Sequence, residues 1–185
     1  SPLFSPVFAR AAFNELYAQG LRPAEALGLA KQDVDVYARK LVAGRSLDSS
    51  GRVTLVKSRV SRRTFDLADE SVAILARRMA GSDLWVFPGK KAGRPYTYSG
   101  LVGAHDRVLE RIGFAVDIYS FRHTFATDLY RHTKDLALVA KVLGHANLRT
   151  VQRYIHLSQE DVSTSLKRFH QAIQEREGVS NERIQ

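Results

Sequence analysis

The feature that most constrains this chain is a change of period. Apolar residues recur at helical spacing over residues 7–19 (VFARAAFNELYAQ). Between Val34 and Leu67 the pattern turns to short β-rich runs, "VDVYARKLV", "GRVTLVKS" and "RRTFDL", split by "GRSLDSSG" and "SRVS". Helical spacing then returns at 69–80 and persists over about 98–112, 121–131, 135–143 and 148–156. A last apolar stripe, Val162, Leu166, Phe169 and Ile173, runs through 159–177, with Ser158 and Asp161 as its capping box. The expected fold is therefore α+β: mainly helical, with one small three-stranded antiparallel sheet. At 185 residues such a chain makes one domain, or a domain with an appendage.

Glycine and proline punctuate this plan. Gly20 follows the first helix where a left-handed cap is wanted, and Pro23 opens the next helix as its first residue, so Arg22 lies in a tight joint between the two. Gly81 stops the helix at 69–80 and leads into "LWVFPGKKAGRPYT", an extended piece with a basic loop that lacks a phosphate-loop pattern and reads as solvated.

Charge narrows the partners. The chain holds 28 Lys and Arg against 19 Asp and Glu, a formal charge of +9, which favours a polyanion and nucleic acid first. The excess is concentrated: from Arg39 to Arg63 there are eight basic residues and one acidic one, Asp48. Arg39, Lys40, Arg52, Arg59, Arg62 and Arg63 are accordingly the expected contacts to a DNA backbone. No apolar run approaches the roughly 20 residues needed to cross a bilayer, and no signal-peptide pattern opens the sequence. The absence of Cys fits a reducing cytosol. His105, His132, His156 and His170 have no carboxylate or Cys partners at ligand spacing, so no metal and no cofactor are assigned.

Two stretches carry the chemistry. In "YSFRHTFATDL", residues 119–129, Ser120 is placed to cap a helix with Phe121, Phe125 and Leu129 on one side. Arg122 then falls in the first turn, where free N–H groups and the helix dipole favour an anion. In "LGHANLRTVQRYIHL", residues 143–157, Gly144 ends one helix, His145 occupies the turn and Asn147 caps the next helix. At 100° per residue Tyr154 projects roughly 90° from the face of Leu148, Val151 and Ile155, at the rim of the core. Taken singly, each residue has an ordinary alternative. Arg22 is equally a partner for Glu25 one turn on, His145 equally a helix cap, and Lys57 one cation among several.

Together, and in this order, these motifs resemble the tyrosine recombinases, the phage-integrase catalytic domains, from about Val7 to Leu157. "GLRPAEALGL" is similar to the family's first-arginine motif, with Arg22 as the arginine and Glu25 as its usual acidic companion. "VKSRVSRRTFDL" resembles the strand-turn-strand that bears the catalytic lysine, here Lys57. "YSFRHTFAT" is similar to the His-x-x-Arg motif, with Arg122 as the second arginine. "LGHANLRTVQRYIH" matches the final motif, with His145 as the second histidine position and Tyr154 as the nucleophile.

The resemblance implies strand cleavage and rejoining on double-stranded DNA at a specific site. Fixed cations hold the phosphate, Tyr154 attacks to form a 3′-phosphotyrosyl link, and Lys57 protonates the leaving 5′-oxygen. It also implies a tetramer on DNA and a bacterial or phage-encoded protein of the cytoplasm and nucleoid. A non-catalytic DNA-binding relative and a type IB topoisomerase are the competing readings. The catalytic domain is expected over 1–157. Residues 158–185 would be a C-terminal helix and tail exchanged between protomers, and the family's N-terminal clamping domain has no counterpart in the sequence. One position departs from the pattern: Tyr119 stands where the family usually has His. A phenol can donate a hydrogen bond or orient the nucleophile, but at neutral pH it is a poor general base. His123 is taken as structural.

Overall fold

The computed structural model describes residues 18–56, 61–81, 83–113 and 116–145, with Asn147, Arg149 and Val151. All of them belong to one compact unit. The expected helix at 7–19 is described only at residues 18 and 19, and the helix at 159–177, together with Lys57, Arg59 and Tyr154, lies outside the described residues, as does Ala146.

The chain enters through a left-handed turn at Gly20 (φ +59°) and starts helix α1, Pro23–Leu27, with the proline at its first position as expected. A Cβ at Gly20 would stand 2.3 Å from the Phe125 ring, so the position needs glycine for its conformation and for its lack of a side chain. A single 3-10 turn, Lys31–Asp33, then leads to strand β1, Val34–Asp35.

Among the described residues, the strands expected as a single sheet over 34–67 form two. Strands β1, β2 (Lys40–Ala43) and β5 (Arg63–Asp66) form a three-stranded antiparallel sheet in the order β1-β2-β5. Strands β3 (Arg45–Leu47) and β4 (Val53–Leu55) form a separate hairpin. The division follows from the turns. Asp35 Oδ1 accepts from the N–H groups of Tyr37 and Ala38 and closes the first turn, where Arg39 takes φ +54°. In the second hairpin Asp48 Oδ1 accepts from the N–H groups of Ser50 and Arg52, and Gly51 supplies φ +76°. Chain order therefore closes β3 on β4 and leaves the next strand to return to β2, with Leu41 opposite Phe65 and Ala43 opposite Arg63.

The helices match their expected spans closely: α2 Asp69–Met79, α3 Tyr98–Ile112, α4 Ser120–Thr133 and α5 Leu136–Leu143. Arg149 and Val151 are helical as well, and Asn147 Oδ1 accepts from Arg149 N–H at 2.9 Å, the cap its position predicts. Thr97 caps α3 and Asp135 caps α5 in the same way.

Helix α4 differs from expectation at its start. Tyr119 takes the cap position and Ser120 is already helical; the Asp117 carboxylate, accepting from Tyr119 N–H at 2.7 Å, makes the turn that Ser120 was expected to make. The most buried stripe of α4 is Arg122, Ala126 and Tyr130, one residue on from Phe121, Phe125 and Leu129, which are half-buried. An arginine can head a buried stripe because its donors are satisfied there, as described below.

One apolar core, including Leu21, Leu27, Leu41, Leu75, Phe87 and Leu101, joins α1, the β1-β2-β5 sheet, α2 and α3. Phe121 and Val142 pack against its edge, which fixes the start of α4 and the end of α5 beside α1. Among the described residues no helix is long and apolar enough to cross a membrane.

Candidate active site

The joint after Gly20, the start of β5 and the first turn of α4 converge on one carboxylate, that of Glu25. Its position at the third residue of α1 lets it turn back on the helix start: Oε2 accepts from Arg22 backbone N–H and Oε1 from Arg22 Nη1, both at 2.8 Å. Oε2 also accepts from Arg63 Nη2 at 2.6 Å and lies 3.8 Å from Arg122 Nη1. Three guanidiniums thus share one buried carboxylate, and the cluster keeps an excess of positive charge. Burial by itself would raise the Glu25 carboxyl. The Arg63 charge, the Arg22 N–H and charge, and the Arg122 charge together outweigh it and hold the group below its ordinary range.

Arg122 is 5% exposed, and its guanidinium is held by backbone. Nη1 donates to Gly20 O at 2.6 Å and Nη2 to Leu143 O at 2.7 Å. Nη2 also lies 2.9 Å from His145 Nε2. Since an arginine can only donate, His145 Nε2 accepts, and the imidazole carries its proton on Nδ1. Burial, then the charges of Arg122, Arg22 and Arg63, push the His145 pKa down to about 4 against the opposing pull of Glu25, so the ring is neutral near pH 7.

Gly144 turns the chain into His145. It is left-handed (φ +66°), with His145 N–H donating to Ala140 O at 2.9 Å and Gly144 N–H to Lys141 O at 3.1 Å, the paired bonds of a Schellman cap. His145 therefore follows the helix cap and contacts Arg122 at once, so the cap reading does not displace it from the cluster.

Arg22 is the most open of the three arginines, with its side chain 34% exposed. An anion approaching this cluster meets Arg22 first, backed by the fixed Arg122 and by neutral His145. Tyr119, at the head of α4, is 38% exposed and acts on the Tyr98 phenol; burial first and then Tyr119 raise the Tyr98 pKa.

The expected DNA-backbone residues divide. Arg39 and Lys40 are exposed and paired with Asp69 and Asp66. Arg52 is exposed with Asp48 at 3.4 Å, and Arg62 is exposed. Arg63 is a correction: it is 7% exposed and faces Glu25, not solvent. The signal was in the alternation of "RTFDL", since residues 63, 65 and 67 share one face of a strand and Phe65 and Leu67 are apolar. The loop taken as merely solvated also gains a context: Lys90, Lys91 and Arg94 line a cleft of about 800 Å³ with Arg52 from the β3–β4 turn. Among the described residues no group of three or more His, Asp or Glu is placed to hold a metal ion.

Known proteins resemble this chain in sequence and in fold. The profile described as the phage integrase family matches residues 5–161. Tyrosine recombinase XerC of Halalkalibacterium halodurans is 29% identical over 168 residues, which cover 87% of this chain and 54% of that protein. Tyrosine recombinase XerH of Campylobacter jejuni is 32% identical over 148 residues, covering 76% and 39%. The chain spans about half the length of the curated relatives it matches. Among solved structures, the Tn1549 transposon integrase in complex with circular intermediate DNA superposes with a TM-score of 0.73 at 20% identity, covering 86% of this chain and 58% of that one. XerH bound to its difH substrate superposes at 0.63 and 21%, covering 86% and 46%. The fold is that of these recombinase and integrase catalytic domains, and the chain belongs to the phage integrase family.

Proposed function

We propose that this chain is the catalytic part of a site-specific DNA recombinase or integrase, which cleaves and rejoins strands through a 3′-phosphotyrosyl intermediate on Tyr154. The observation that carries the reading is the convergence of Arg22, Arg122 and His145 on one cationic spot, although Arg122 stands 102 residues from Gly20 beside Arg22.

The chemistry follows from the groups. In-line attack on a phosphodiester builds negative charge on the non-bridging oxygens, and fixed donors stabilise it without reorganising. Arg122, locked on two carbonyls, is such a donor, and Arg22 closes on the phosphate from the open side. Neutral His145 buttresses the Arg122 guanidinium and does not add a third charge to compete for the anion. Lys57 is the proposed acid for the leaving 5′-oxygen. Tyr119 is the proposed donor or orienting group at the head of α4. Attack by the Tyr154 oxygen breaks the phosphorus–oxygen bond to the 5′-oxygen and forms one of comparable energy, so a second 5′-hydroxyl can reverse the step on a partner strand.

The partner is double-stranded DNA at a specific recombination site, with four protomers assembled on it in the cytoplasm. Residues 158–185 are proposed to be the segment exchanged between protomers. The test is a nicked suicide duplex recovered from a randomised pool by covalent capture. The wild-type protein forms a denaturation-resistant adduct, and Tyr154→Phe forms none. Binding without adduct under every condition would favour a regulatory DNA-binding relative.

A further inference from the structure

Arg63 is the cation of the cluster that the proposed chemistry leaves without a task. We propose that Arg63 is a positioning residue, tying strand β5 to the Glu25 carboxylate and to the last turn of α5 so that Arg22 and the Gly144–His145 turn are held in register. The inference rests on the recombinase reading of the same site.

Its contacts fall on three different elements. Nη2 donates to Glu25 Oε2 on α1 at 2.6 Å, and Nη1 donates to Val142 O near the end of α5 at 3.2 Å. That carbonyl belongs to the last turn of a helix, where acceptors lack intrahelical donors and the dipole favours a cation. Below, the guanidinium lies 5.4 Å from the centroid of the Phe65 ring on its own strand. Above, the chain at Gly144 passes so close that an added Cβ would stand 3.0 Å from Arg63 Cδ and Nη1. The turn bearing His145 therefore rests on the Arg63 side chain.

A surface cation for DNA needs none of this. Buried to 7% exposure and held on two acceptors, Arg63 spends its charge inside the protein. The strand register fixes the other end of the strut, since Arg63 pairs with Ala43 in β2. Moving Arg63 therefore shifts the Glu25 carboxylate that orients Arg22, and releases the turn that places His145. Arg63 also opens β5 only six residues after Lys57, so it anchors the strand that follows the lysine segment. The charges facing His145 are those of Arg122, Arg22 and Arg63 and, opposing them, that of Glu25.

The test compares Arg63→Met and Arg63→Lys with the wild type. A lysine keeps one charge for Glu25 but has no planar fork to reach Val142 O as well. On the captured nicked duplex at saturating protein, adduct formation is expected to slow about 100-fold in Arg63→Met, the scale of a misplaced site. Arg63→Lys is expected to recover part of that loss, with the duplex Kd unchanged within about twofold in both. In the protein without DNA, the Gly144 amide resonance moves in both variants. The His145 ring titration rises in Arg63→Met, where one facing cation is gone.

Wild-type cleavage rates in the two variants overturn the proposal, as does a loss recovered fully by raising the DNA concentration. If Arg63→Met does not fold, Arg63→Lys decides alone. No adduct from wild-type protein would sink the recombinase reading instead. The resonances then decide on Arg63 by themselves, and an unmoved Gly144 amide in the variants overturns it.

Discussion

Arg63 Nη2 stands 2.6 Å from Glu25 Oε2, and both side chains are almost wholly shut from water. A pair of this kind is costly to break from one side, because the surviving charge is left buried. Glu25→Ala, which strands Arg63 and removes the anchor of Arg22, is expected to cost about 3–5 kcal/mol of stability. Urea unfolding followed by circular dichroism measures it. A loss below about 1 kcal/mol would mean that the three arginines find other partners.

Acid is expected to weaken the fold before Glu25 protonates. Histidine in an unfolded chain titrates near 6.5, whereas His145 in the folded chain is pushed down to about 4. Between those values the unfolded chain binds more protons, so stability rises with pH; the contribution is complete above about pH 6.5 and is lost on descent towards 4. Its ceiling is about 3 kcal/mol, lowered by the partial exposure of the ring. His123, shifted in the same direction, adds to the same slope. Glu25, held low, loses its contribution only as pH falls below the ordinary carboxylate range. Comparing unfolding at pH 7 and pH 5 in the wild type and in His145→Asn isolates the His145 part, and the variant should show the smaller difference.

Gly20→Ala should be severe for so small a change. The substitution puts a methyl group into the Phe125 ring and forces a side chain into a left-handed backbone, beside the carbonyl that holds Arg122. A loss of about 1–3 kcal/mol is expected from the backbone alone. A drop in Tm of only a degree or two would show that the turn relaxes freely.

Tyr119→Phe removes one hydroxyl at the head of α4. If Tyr119 donates to the phosphate, adduct formation slows by about tenfold, the worth of one hydrogen bond. The same change lets the Tyr98 phenol fall towards its ordinary pKa, because Tyr119 contributes to its rise. Ultraviolet titration against the parent reports that shift, and an unchanged cleavage rate would remove Tyr119 from the chemistry.

Salt dependence separates the basic residues. Arg52→Ala, at the cleft with Lys90, Lys91 and Arg94, should flatten the plot of log Kd against log salt by about one phosphate contact. Arg63→Lys should leave the slope untouched. Fluorescence anisotropy on a labelled duplex over a range of salt concentrations makes the comparison.

The convergence of the candidate site's described residues was legible in part because chemistry and punctuation coincide in the chain. Gly20, Pro23 and Gly144 marked the turns that place Arg22 and His145, and Asn147 was readable as a cap because its offset to the next helix is fixed. Arg63 was misread because its neighbours in sequence are cations, whereas its neighbours in space are Glu25 and Val142. Periodicity of two outranked composition there, and the β-run broke into two sheets because hairpin closure is decided by turns such as Asp48–Gly51, not by propensity. The start of α4 shifted by one residue for a similar reason: the carboxylate of Asp117 took over the turn.

The two carbonyls that hold Arg122 have a further consequence. Gly20 lies 102 residues behind it and Leu143 lies 21 ahead, so its guanidinium is fixed only when both distant segments have come home. A chain emerging from the ribosome has made Arg22 long before, and Arg122 21 residues before, Leu143 exists. Assembly of the cluster is thus an interlock on synthesis: a half-folded copy carries the residues of the site but not the site.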